Sequence, residues 1–245
     1  MSRTLGSEIS KALTTRSSVG LAAGAAVVMG LTAVSVISSQ PAGSLDGALR
    51  ETSYFMLAAF NVLMFALLIG IRVMTDDVRY GTIVPTLLAT PSRRRIVVAK
   101  GSTAALLGAS LALVAQAVLL VVAIPLLEGK GVSPTIGAAD VQAMSALVVT
   151  SAVFATIGVG AAAAIRHQVA AIVGGLVWML VIENLGTVAF GGAARFLPGQ
   201  AAQALVSPSA ATLAPLAGAA VLGAYLAASA AIGAVVLERR DVISG

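Results

Sequence analysis

Few residues in this chain could carry out chemistry, and their spacing excludes most enzyme mechanisms. The single histidine, His167, follows Arg166 at the end of a long apolar run. A Ser/His hydrolase needs its histidine beside a nucleophile, and a helical zinc protease needs two histidines one turn apart with a glutamate between them. Neither set occurs. The absence of cysteine removes disulfides, thiolate metal sites, iron–sulfur clusters and thiol nucleophiles together. No Gly-x-x-x-x-Gly-Lys-Ser/Thr loop is present; Gly129-Lys130-Gly131 lacks both the upstream glycine and the following hydroxyl. The expectation is a chain that is not an enzyme, with no catalytic residue, no metal ligand set and no cofactor of its own.

The polar residues that stand inside apolar runs are the remaining candidates. Glu183 is the one acid so placed, beside Asn184. A carboxylate at membrane depth is costly and marks a proton or substrate path, or else a hydrogen-bonded structural role. Asn61 and Gln116, near the middles of two other runs, are expected to hydrogen-bond between helices and could alternatively line a substrate path.

The elements that must position these residues follow from composition. Of 245 residues, 58% are hydrophobic and 10% charged, and the mean hydropathy is +1.00. A soluble domain carries about 25% charged residues, so these charges cannot cover a water-facing surface. Crossing about 30 Å of hydrocarbon takes about 20 apolar residues in a helix. Six such runs occur, at 19–38, 54–71, 101–127, 141–165, 169–190 and 215–237. They are continuous and not alternating, which excludes a β-barrel. The predicted fold is an all-α polytopic membrane protein, a single transmembrane domain over 1–245.

Six spans put both termini on one side. If that side is the cytoplasm, only Arg50, Lys130 and Arg195 lie outside, and 12 of the 15 cations lie inside. The basic balance, a net charge of +5, is thereby accounted for by sidedness, without nucleic acid. Before the first span, Leu5, Ile9, Ala12 and Leu13 share one helical face, predicting an interfacial amphipathic helix within residues 1–18. Before the sixth, Phe196-Leu-Pro-Gly opens a stretch with prolines and glutamines that cannot face lipid. It reads as a short outer helix, with Leu197, Ala201, Ala204 and Leu205 on one side, or as a plain loop. Gly20 and Gly24 form a GxxxG pair, and Gly158, Gly160, Gly174, Gly175, Gly218, Gly223 and Gly233 add small residues for close packing.

The informative segment is the cytoplasmic loop at 72–100. Thr75 followed by Asp76 and Asp77 reads as a helix N-terminus, with an acceptor at the cap and carboxylates in the first turn. Ile83, Leu87 and Leu88 form an apolar stripe, and Pro91-Ser92 ends the segment. The predicted helix, Asp76 to Thr90, lies along the membrane. Arg93, Arg94, Arg95 and Lys100 would anchor the loop to the anionic headgroups of the inner leaflet.

Here the sequence resembles the membrane subunits of ABC transporters of the type-two, export class. The resemblance rests on Asp77, Gly81-Thr82, Leu87-Leu88, Pro91, Ser92-Arg93 and Lys100 in the loop. Glu8 and Lys11 before the first span, Arg166 before the fifth, Phe196-Leu-Pro-Gly and the closing Arg239-Arg240-Asp241-Val242 extend it over the whole chain. The run of three arginines departs from the family pattern. The resemblance implies that the loop docks on a separate ATP-binding subunit through Asp76, Asp77, Arg79, Tyr80, Gly81, Thr82, Leu87 and Leu88. It also implies a two-plus-two assembly with a second membrane subunit in the bacterial plasma membrane, ATP and Mg2+ being held by the partner. Two other classes stand beside it: an ion-coupled secondary transporter using Glu183, and a membrane scaffold that transports nothing.

Overall fold

The computed structural model describes residues 16–39, 53–79, 93–131, 136–165 and 167–239. Helix α1 is Arg16–Ser39, α2 Ser53–Arg79, α3 Arg93–Glu128 and α4 Ala138–Ile165. The fifth span is built of three pieces: α5 (Gln168–Val177), a π-helical turn (Trp178–Ile182) and α6 (Glu183–Ala189). A 3-10 turn (Gly191–Phe196) leads into the short helix α7 (Pro198–Val206), and α8 (Pro215–Arg239) closes the chain. No strand occurs among the described residues. Six helices are long and apolar enough to cross a membrane, over Gly20–Ser39, Ala59–Asp76, Val98–Glu128, Ala138–Ile165, Gln168–Ala189 and Pro215–Gly233. The chain is a multi-pass, all-helical membrane protein.

Two helices outrun their apolar stretches. α2 does not stop at residue 71 but continues to Arg79, and α3 begins at Arg93, ahead of residue 101. Hydrogen bonding within a helix does not require apolar side chains, so charged turns extend a span past the hydrocarbon. The expected new helix start at Thr75 is corrected by the same observation. Thr75 is buried inside α2, its hydroxyl donating to the carbonyl of Ile71 one turn back at 2.9 Å. A Thr-Asp-Asp run is compatible with a cap and with a continuing helix, and here the helix continues. The rest of the predicted loop helix, with Tyr80, Gly81, Thr82, Leu87 and Leu88, lies outside the described residues, as does the N-terminal helix up to residue 15.

The bundle is built around α2 and α4. Half or more of their membrane windows is buried, 61% for α2 and 50% for α4, against 17% for α8. α4 packs on α2, α3, α5, α7 and α8. The α2–α4 seam is a backbone contact: a Cβ on Gly70 would overlap the Ala155 carbonyl, and one on Gly158 would overlap that of Leu67. The Gly20–Gly24 pair makes no such contact, with Gly20 open and Gly24 touching only the ring edge of Phe65. Outward faces are apolar, including Leu31 on α1, Val121 on α3, Val188 on α6 and Leu216 on α8. That is the arrangement hydrocarbon requires, since its driving force is packing and not exclusion of water.

Polar contacts fix the direction of the spans. The Lys100 ammonium at the start of α3 donates to Val73 O near the end of α2, and Gln168 at the start of α5 reaches Asp76. Lys130, just past α3, donates to Ile37 O and Ser38 O at the end of α1. The ends of α1 and α3 therefore lie together, and the end of α2 meets the starts of α3 and α5.

Candidate functional site

Glu183 sits where the fifth span changes register. In the π turn the Glu183 N–H donates to Trp178 O, five residues back. One extra residue in a turn advances the register by about 100° and leaves a carbonyl without its usual partner. The Asn184 side chain supplies that donor, reaching Leu180 O at 2.9 Å and Met179 O at 3.4 Å. Asn184 thus serves its own backbone while its residue faces outward.

The turned Glu183 side chain is 1% exposed. Its Oε1 accepts the backbone N–H of Gly199 at 2.7 Å and the indole N–H of Trp178 at 3.3 Å. Gly199 is the second residue of α7, behind Pro198, and no side chain of α7's own N-cap residue, Leu197, serves it. The carboxylate therefore caps α7 from another helix, where exposed N–H groups and the helix dipole favour negative charge. Glycine leaves room for this approach: a Cβ at 199 would stand 2.7 Å from Oε2 and 2.8 Å from Cδ of Glu183 and would displace the carboxylate. Oε2 has no hydrogen-bond partner among the described residues.

α7 itself is a plug of small residues. Pro198 presets the first turn, and Ala201, Ala202, Ala204 and Val206 are buried. It packs on α2, α4 and α8, flush enough that a Cβ on Gly218 would stand 2.8 Å from Ala201 O. Of the two readings of this stretch, short helix or loop, the structure has the helix. Ala201 and Ala204 are buried and Leu197 and Leu205 half-buried along it.

A second polar constellation lies at the other end of the bundle. Arg72 and Asp76 pair one turn apart on α2 at 3.2 Å, and the Gln168 amide donates to the other Asp76 oxygen at 3.4 Å. Lys100, expected among the lipid-facing anchors, is instead 4% exposed and hydrogen-bonded to Val73 O at 2.8 Å. Burial of a lysine is tolerable when backbone carbonyl oxygens solvate the ammonium. Asp77 and Arg79 lie in the last turn of α2, and Arg93, Arg94 and Arg95 in the first turn of α3.

Glu183 and Asn184 thus share one site, away from Gln116, which donates to Met144 O across α3 and α4 at 3.1 Å. Asn61 is half-buried on α2. Trp178 and Gln168 were not among the residues singled out from sequence, and Gly199 stood there only as the last residue of Phe196-Leu-Pro-Gly. Pro198-Gly199 carried the one available signal, a helix start without its own capping side chain. Among the described residues no three acids or histidines gather as a metal site. In comparisons with known proteins, no protein-family model and no curated protein matches the chain.

Proposed function

We propose that this chain is the transmembrane subunit of an ATP-driven exporter of the ABC type-two class. It would work as two membrane subunits with two separate ATP-binding subunits, both termini facing the cytoplasm of a bacterial cell. The sequence resemblance motivates the reading, and one structural observation supports its mechanics. α2 continues unbroken to Arg79, so the acidic pair Asp76-Asp77 that precedes residues 80–92 is carried on a continuous helix. That helix is tied to α3 through Lys100 and to α5 through Gln168. A force applied by a partner at the loop would reach three spans at once, and alternating access needs two arrangements biased by such a partner. The chain supplies no nucleotide chemistry, so ATP and Mg2+ belong to the partner in this scheme.

The test is copurification of an ATP-binding partner, with ATP-driven transport, before and after Asp77→Arg. Charge reversal at an interface adds repulsion to lost pairing. Transport and the complex are expected to be lost while membrane insertion persists; an intact complex with full transport would sink the reading. A second reading, ion-coupled transport through Glu183, draws support from the unpartnered Oε2. It requires transport to stop when the proton gradient is collapsed with ATP still present, and Glu183→Gln to behave as the collapsed wild type. A scaffold would do neither.

A further inference from the structure

We propose that Glu183 is the latch of a hinged plug, the segment of residues 191–207 that carries α7, and that releasing this carboxylate frees α7 from the bundle. The inference does not depend on what powers the protein. Three observations carry it. First, α7 is joined on its N-terminal side by backbone that can pivot. Gly191 has φ +51, a conformation that favours glycine, and a Cβ added to it or to Gly192 would meet nothing within 4 Å. Second, the residues α7 buries are small, three of the six being alanines, and small side chains bury little apolar area each, so its seating depends on its end contacts more than that of a leucine-rich helix would. Third, the N-terminal contact is a single carboxylate from another helix. Oε1 takes both the Gly199 N–H and the Trp178 indole, and Leu197, the N-cap residue of α7, adds no side-chain cap.

The latch is also sterically keyed. The three nearest atoms that a Cβ at 199 would meet, at 2.7–3.0 Å, all belong to Glu183. Gly199→Ala therefore acts by pushing the carboxylate away, and the substitution matters only while that carboxylate is present.

The chain has no cysteine, so a single Ala202→Cys reports on the plug, Ala202 being fully buried. The protein is reconstituted into liposomes in mixed orientation and treated with a membrane-impermeant maleimide. Labelling of the thiol introduced by Ala202→Cys is expected to rise at least tenfold with Glu183→Ala and with Gly199→Ala, and to stay within twofold of the parent with Glu183→Gln, which keeps an acceptor at the Oε1 position. Adding Gly199→Ala to Glu183→Ala is expected to change the labelling less than twofold. A thiol introduced instead by Ala112→Cys, at a position buried in α3, must stay unlabelled throughout. Unchanged protection of the α7 thiol in Glu183→Ala overturns the proposal. So does a further tenfold rise in the double variant, because the glycine would then be needed for something other than the carboxylate. If Glu183→Ala fails to insert, the contrast between Gly199→Ala and Glu183→Gln decides it: opening in the first alone supports the latch, and equal labelling refutes it.

Discussion

The two polar ends of the bundle handle charge in opposite ways. At the end of α2, Asp76 keeps contact with water at 21% side-chain exposure, is paired with Arg72 and also receives Gln168. At the end of the fifth span, Glu183 is removed from solvent and held by a backbone N–H and an indole. The first site is redundant, since losing one contact leaves others and water to compensate. The second is a single joint, on which the N-terminus of α7 depends. The difference shows how one bundle can hold a stiff end, suited to receiving force, and an end with a releasable part.

α2 and α4 connect the two ends, and breaking their seam is expected to give the largest effect. Valine at Gly70 would drive a side chain into the Ala155 carbonyl, backbone that cannot move aside. Overpacking costs about 1–3 kcal/mol where neighbours can adjust, and here they cannot, so Gly70→Val is expected to abolish the monodisperse, folded fraction in detergent. Gly20→Val, where nothing lies within 4 Å, is the control and should leave that fraction unchanged. A well-folded Gly70→Val chain would mean that the ends are not held in register by this seam.

The next test compares the ends directly by thermal unfolding in detergent. Glu183→Ala leaves the Gly199 and Trp178 N–H groups without acceptors and is expected to cost about 2 kcal/mol, at about 1 kcal/mol or more for each orphaned donor. Glu183→Gln keeps an acceptor and removes a buried charge, so it should stay within about 1 kcal/mol of the parent. Asp76→Asn loses part of a semi-exposed helix pair and should cost about 0.5 kcal/mol. A larger loss at Asp76 than at Glu183→Ala would reverse the assignment of redundant and single-joint ends.

How much of this was legible in the sequence depends on the range of the signal. The spans were readable because lipid demands long apolar runs, and Glu183 stood out because an acid in such a run is rare. Where charged turns carry α2 on to Arg79, hydropathy marks the apolar span and not the end of the helix, and Thr75-Asp76-Asp77 offered a false helix start. The π turn at Trp178–Ile182 has no residue-type signature, so the direction of Glu183 could not be read. Its partner Gly199 is 16 residues away, across a turn whose geometry no local pattern specifies. Phe196-Leu-Pro-Gly marked a helix start without saying what would cap it. Lys100 looked like one more cation of a basic loop, and only the fold brings the Val73 carbonyl to it.

The smallest expected effect lies between the two ends and calibrates both. Gln116 is 2% exposed at the α3–α4 contact, and its amide donates to Met144 O at 3.1 Å. It is neutral, and Met144 lies in the second turn of α4, so its carbonyl has a place in the helix's own hydrogen-bond ladder. Gln116→Leu therefore orphans no charged group, and interhelical hydrogen bonds of this kind average about 0.6 kcal/mol in membrane bundles. A loss of that size in the same unfolding assay would set the scale for one ordinary polar contact in this bundle. The larger cost of Glu183→Ala would then mark the cap as something more than such a contact. A loss above about 2 kcal/mol for Gln116→Leu, beyond the upper end of such bonds, would instead give this mid-depth residue a weight its visible hydrogen bond does not explain. The contrast between the two ends would then no longer describe where the polar interior of the protein is concentrated.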